Sequence, residues 1–148
     1  ELSNVMIQGL VQDIALLDIP AEMYDVIWLS AATYSCLPTR ARRVQMLERA
    51  RLALKPGGYF ALQFHWDIRQ PFSQKAVILH RLVALLTLGN CSYERGDMLW
   101  GNLEFIHAFS SESDLNAEFK AAGFHVAWLN IPTATQMRGE ALLQKCGA

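Results

Sequence analysis

No apolar stretch in this chain is long enough to cross a bilayer, which takes about 20 residues. The longest, residues 76–88, is broken by His80 and Arg81. Nor is there a basic start followed by an apolar segment of the secretory kind. Cysteine is scarce: Cys36, Cys91 and Cys146 form an odd set with no CxxC pair. That excludes a disulfide framework or a zinc knuckle and points to a reducing cytoplasm. Charge is scarce as well, at 18% of residues with a net −1, so no global field draws nucleic acid or an anionic membrane, and a small-molecule partner is expected. The four histidines are scattered without HExxH, and no metal site is expected. There is no GxSxG elbow. No GxGxxG follows a strand-like run, and the adjacent glycines Gly57 and Gly58 stand before a strand, where a phosphate-cradling loop would not be.

What is present fits one domain, residues 1–148, with 52% hydrophobic residues and no repeat or linker. The chain opens on Glu1, consistent with a processed product or a fragment. Strand-like and helix-like patterns alternate along its length, which predicts an α/β fold. Residues 5–11 read as a strand, and residues 24–30 read as a buried parallel strand because their apolar run is almost continuous. Residues 39–54 read as a helix, with Thr39 as N-cap, Val44, Leu47, Ala50 and Leu54 on one stripe, and Arg42, Arg49 and Arg51 toward solvent. The arginines from Arg40 to Arg51 are read as a solvated face. Lys55-Pro56-Gly57-Gly58 ends that helix, and residues 59–65 form the next strand.

Regular alternation lapses over residues 66–107, read as an insertion or lid with a helix at residues 73–88 and a Gly- and Asn-containing stretch through Gly101-Asn102. Ser110 or Ser111 caps a helix ending near Ala122, and Gly123 stops it. Residues 124–130 then form a strand. Residues 141–145 suit a last strand or a short helix.

Four local patterns resemble the class I S-adenosylmethionine-dependent methyltransferase family when taken in order. They are Val11-Gln12-Asp13 with Leu17-Asp18-Ile19-Pro20, Tyr24-Asp25-Val26-Ile27, Leu54-Lys55-Pro56-Gly57-Gly58-Tyr59-Phe60, and the helix from Leu115 ending in Ala122-Gly123-Phe124. The resemblance covers the later two thirds of the domain. It implies a Rossmann-like, mostly parallel sheet with flanking helices, lacking the first two strands and the glycine-rich cofactor loop. It also implies a partial S-adenosylmethionine site in which Asp13 accepts from the adenine amino group, the Ile14 amide meets a ring nitrogen, and Leu16 adds an apolar wall. Because the absent strands would stand in the middle of the sheet, residues 5–11 are expected to shift inward, or a second copy or a missing N-terminal segment to complete the sheet.

Ser30 and Ala31 follow the strand at residues 24–30, where ligands bind at the carboxyl ends of open α/β sheets. Tyr34 is read either as orienting a substrate or as a packing residue. His65 is read as a base, since a histidine near its reference pKa of about 6.5 accepts a proton at neutral pH, or as a hydrogen-bonded rim residue. Trp66, Tyr93, Trp100 and His107, with Phe105, suit either an aromatic substrate wall or the core of the insertion. Methyl transfer to a small-molecule nucleophile is the leading reading. A truncated, non-catalytic derivative serving as an interaction or oligomeric scaffold is the alternative, and another nucleotide-binding enzyme such as a dehydrogenase is a weaker third.

Overall fold

The computed structural model describes residues 9, 11–67, 74–87, 91–92, 94–100, 104–133 and 138–146, with the backbone alone for Gln74, Ala76, His80, Leu99, Trp100 and Glu104. The expected strand at residues 5–11 and the inward shift proposed for it lie outside the described residues, save Gly9 and Val11, which are irregular. No helix among the described residues is long and apolar enough to cross a membrane.

Helix α1 (Arg40–Ala53) begins where two groups satisfy its first amides: the Thr39 hydroxyl accepts from Arg42 N at 3.4 Å, and the Glu94 carboxylate accepts from Arg40 N at 2.9 and 2.8 Å. It buries Arg43, Met46, Leu47, Ala50 and Ala53, a spacing of three and four that makes one face. Helix α2 (Gln74–Leu86) exposes Ile78, Leu79, Leu82, Val83, Leu85 and Leu86. Helix α3 (Glu112–Ala121) is capped by Ser111, whose hydroxyl accepts from Asp114 N at 3.3 Å, and it carries Glu112 and Asp114 in its first turn, where the helix dipole favours acids. Gly123 ends it at φ +78°, the left-handed conformation that glycine adopts without steric cost.

Among the described residues six strands make the sheet: β1 (Tyr24–Leu29), β2 (Leu54–Trp66), β3 (Asp97–Trp100), β4 (Glu104–Phe109), β5 (Phe124–Asn130) and β6 (Arg138–Lys145). The long β2 is the hub. On one side β1 runs parallel to it with Ile27 opposite Phe60 and Leu29 opposite Leu62, and further along β4 runs parallel with Trp66 opposite Phe109. On the other side β6 is antiparallel to β2, and β5 is antiparallel to β6. Strand β3 closes an antiparallel ladder with β4, from Asp97 opposite His107 to Trp100 opposite Glu104.

Strand alternation then sets two unequal faces. Phe60, Leu62, Phe64 and Trp66 of β2 point into a single core shared with Met46, Leu47, Ala50, Leu115, Phe119, Phe124, Ala141 and Leu143. On the opposite face an apolar row runs in register through Trp28, Ala61, Leu142 and Trp128, with Trp28 72% and Trp128 51% exposed. The expectation of a buried β1 is therefore corrected. Val26 and Trp28 are exposed because, among the described residues, one face of the sheet is covered and β1 pairs with β2 alone.

Two further expectations are refined. The final segment is a strand, because β6 pairs along its length with both β2 and β5. The stretch read as irregular within residues 66–107 contains β3 and most of β4.

One close approach fixes how β6 sits against the core. A Cβ added to Gly139 would overlap the Phe64 ring and meet the Asn130 carbonyl oxygen at 3.0 Å. Phe64 is fully buried and edge-on to both Trp66 and Phe109, so its ring has little room to yield. Overpacking of this kind costs about 1–3 kcal/mol. Gly139→Ala is expected to lose that much in denaturant titration and to recover part of it when Phe64→Leu is added. Equal losses in the two backgrounds would show that the ring is not the obstacle.

Candidate functional site

Of the residues expected to meet a cofactor, Ser30 and Ala31 stand at the carboxyl end of β1. Ser30 and Ala31 are exposed there, followed by Ala31 and Ala32 at φ +58° and +56°, a left-handed pair without glycine. Residues other than glycine rarely hold that conformation unless their surroundings enforce it. Three contacts do so: Ala31 N donates to Gln63 Oε1 at 3.1 Å, the Thr33 hydroxyl donates to Ser30 O at 2.8 Å, and Ala32 is fully buried. Gln63 is itself fixed by donating to Glu140 at 3.1 Å.

Asp13 caps the short 3-10 helix Ile14–Leu16, accepting from Ala15 N at 2.9 Å, and it pairs with Arg42 at 2.7 Å. An ionised carboxylate offers about four acceptor positions, so capacity remains beyond these two partners. Ile14 is half-buried and Leu16 is 56% exposed beside it. Asp13, Ile14, Leu16, Ser30 and Ala31 thus supply a charged acceptor, a backbone amide and an apolar wall. No residue among those described offers a glycine-rich cradle for the methionine half of S-adenosylmethionine.

Tyr34 is placed in the core, away from any surface a substrate could reach. It is fully buried, stacked on Phe109 at 5.9 Å, and its hydroxyl donates to Glu118 Oε2 at 2.5 Å. Glu118 also receives Arg43 Nε at 3.0 Å and Nη2 at 2.7 Å, and Arg43 Nη2 reaches Glu94 at 3.2 Å. Arg43 is 1% exposed, so the solvated helix face expected for the arginines is broken at this position. Burial pulls its guanidinium down, but the hydrogen bonds and charge of Glu118 outweigh this and the group is held above its ordinary value.

Burial, then the charge and hydrogen bond of Glu118, push the Tyr34 hydroxyl well above the usual tyrosine range. The folded chain thus keeps a proton that the unfolded chain releases near pH 10. This contribution to stability is complete below pH 10 and declines as pH rises further. Unfolding measured for the parent and for Tyr34→Phe is expected to show a difference that is constant at neutral pH and shrinks above about pH 10. A difference that grows with pH would contradict the assignment.

The remaining expected site residues divide between the two faces of the sheet. His65 lies on the face opposite the core, half-buried, with its backbone N donating to the Ser35 hydroxyl at 2.8 Å. Trp66 and His107 lie on the core face, because Trp66 pairs with Phe109 and His107 is two residues before it. Trp100 ends β3 opposite Glu104. Tyr93 is outside the described residues. His65 and His107 therefore do not converge on one substrate wall.

His107 is 6% exposed, and its Nδ1 is 2.7 Å from Asp97 Oδ1. Asp97 is 2% exposed and also accepts from Glu94 N at 2.7 Å. Glu94, Asp97 and His107 offer ligand-type atoms within 4.8 Å of one another. The hydrogen bonds to Arg40, Arg43 and the Glu94 amide account for that convergence without a metal. Beside them a cleft of about 230 Å³ is lined by residues including Arg40, Arg95, His107, Phe109, Ser110 and Asp114. Sequence reasoning missed Arg43, Glu94, Asp97 and Glu118, none of which sits in a motif.

No protein-family model matches the chain, and no curated protein does. Solved structures match over nearly its whole length. A SAM-dependent methyltransferase from Methanosarcina mazei is 18% identical with a TM-score of 0.63, covering 93% of this chain and 66% of its own. An S-adenosylmethionine-dependent methyltransferase from Clostridium acetobutylicum is 14% identical with a TM-score of 0.62, covering 92% and 63%. The CcbJ methyltransferase from Streptomyces caelestis is 13% identical with a TM-score of 0.63, covering 93% and 63%. The chain spans less than two thirds of the length of each. It has a class I methyltransferase-like fold, a mixed α/β sheet with flanking helices.

Proposed function

We propose that this chain is the later part of an S-adenosylmethionine-dependent methyltransferase that acts on a small-molecule nucleophile. The observation that carries the reading is the match over more than nine tenths of the chain to solved methyltransferases. The residues at the carboxyl end of β1 support it. In this reading Asp13, Ile14 and Leu16 hold the adenine, with Ser30 and Ala31 beside the ribose end. The methyl carried by a sulfonium is already activated, so the protein's task is to align a nucleophile at about 3–3.5 Å and to remove a proton where one must leave. His65 is the base on the open face of the sheet, which Trp66 and His107 do not share. Tyr34 acts only through the core it pins. A preceding segment or a second copy pairs with the edge of β1 that has no partner strand among the described residues and completes the donor site, in a cytoplasmic protein.

Calorimetric titration of the chain with S-adenosylmethionine and with S-adenosylhomocysteine tests this. Binding of both is expected, and binding of neither would overturn the claim that the chain holds part of a donor site. A second reading has one specific observation in its favour. The row of exposed Trp28 and Trp128 with half-buried Ala61 and Leu142 between them is the kind of apolar surface that marks an interaction face. A non-catalytic scaffold would bind neither ligand and would self-associate.

A further inference from the structure

We propose that helix α2 is a membrane-surface anchor, seating its outward apolar stripe in an anionic lipid bilayer with Lys75 and Arg81 at the level of the headgroups. Ile78, Leu82 and Leu85 stand four and three apart, and Leu79, Val83 and Leu86 repeat that spacing beside them, so the six side chains share one face of the helix. All six are exposed, from 48% at Val83 to 85% at Leu86, whereas Val77 and Ala84 on the other side are half-buried. A helix of a globular domain turns such a stripe toward the core. Helix α2 turns it to solvent, and no side chain described on this helix is buried.

The charges select what covers the stripe. Residues 68–93 contain no acidic residue, against 14 in the whole chain, and they carry Arg69, Lys75 and Arg81. The net −1 of the chain therefore conceals a locally cationic segment. Lys75 stands one turn before Leu79, and Arg81 lies three residues after Ile78 and four before Leu85; both are exposed. Basic side chains at the margin of an apolar stripe lay their stems along the acyl boundary and reach the headgroup phosphates with their charged ends. Pairing with α2 of a second copy would bring like charges together with no acid on either helix to offset them. An anionic bilayer attracts the same charges.

Length decides how the helix sits. Its 13 residues, at a rise of 1.5 Å each, span about 20 Å, short of the ~30 Å hydrocarbon core, so α2 lies in the interface rather than across it. The inference stands apart from methyl transfer, because neither the donor site nor an acceptor enters it.

Flotation of the full chain with large unilamellar vesicles tests it, using phosphatidylcholine alone and phosphatidylcholine with about one third phosphatidylglycerol. The chain is expected to partition onto the anionic vesicles about tenfold or more in excess of the neutral ones. The double variant Leu82→Ser and Leu86→Ser should lose about tenfold or more of that binding, and Lys75→Gln with Arg81→Gln should bring it close to the neutral-lipid value. All four positions are exposed, and circular dichroism checks that each variant keeps its fold. Absence of flotation, equal flotation on the two lipids, or indifference to the leucine substitutions would each overturn the proposal. Sedimentation velocity without lipid covers the rival occupant: a dimer abolished by the leucine variant, with no flotation of the parent, would give the stripe to a second copy and overturn it as well. Either failure would leave the calorimetry with S-adenosylmethionine untouched, so the two readings fall separately.

Discussion

Replacing Glu118 with alanine is expected to lower the stability of the chain by about 3–5 kcal/mol, the usual result of stranding one partner of a buried ion pair. The reason lies in what remains. Arg43 would stay 1% exposed with its Nε and one Nη2 bond removed, and the Tyr34 hydroxyl would lose its acceptor while still fully buried. Glu94 alone, at 3.2 Å and already bonded to Arg40 N, does not replace two bonds from one carboxylate. At roughly 2–4 °C per kcal/mol for a chain of this size, the melting point should fall by about 6–20 °C. Removing the stranded charge as well reverses much of this. Arg43→Met in the Glu118→Ala background is expected to regain stability, since a buried pair replaced on both sides by apolar groups is often nearly neutral. Denaturant midpoints of the four-member cycle measure this directly. Additive losses would show that Arg43 and Glu118 are not coupled.

That network was invisible in the sequence for a reason that the helix ends were not. Thr39 and Ser111 each cap an amide three residues away, and Gly123 acts within its own turn, so their signals are local. Strand β5 was legible because an apolar run followed a helix stop. Tyr34 and Glu118 stand 84 positions apart, and Arg43 lies 75 from Glu118 and 51 from Glu94. Nothing near Arg43 distinguishes it from Arg42, which reaches Asp13 at the half-exposed surface. Strands β3 and β4 escaped for a related reason: a four-residue strand is defined by its cross-strand partners, here Asp97 with His107, more than by its own composition. His65 was misjudged in company rather than position. It does end the core of β2, but alternation sends it to the face opposite His107.

The largest effect expected on ligand binding concerns Asp13, whose carboxylate has two present partners and room for a third. Asp13→Ala removes the charged acceptor, and a hydrogen bond of that kind contributes about 1.5–3 kcal/mol, which is roughly 10–150-fold in the affinity for S-adenosylhomocysteine. Alanine also deletes the cap on Ile14–Leu16, so a loss in this variant alone would not separate adenine recognition from a disordered turn. Asp13→Asn makes the separation, because an amide oxygen still accepts from Ala15 N while the charge is gone. Arg42→Ala supplies the opposite perturbation: it frees Oδ2 from the 2.7 Å pair and leaves the cap intact. If Asp13 meets the adenine amino group, affinity should be reduced in Asp13→Asn by close to the alanine value and be held or improved in Arg42→Ala. If Asp13 is only a cap, Asp13→Asn should bind as the parent does. Loss of binding in Arg42→Ala would instead place the ion pair itself, and the orientation of α1 that it secures, at the root of the affinity.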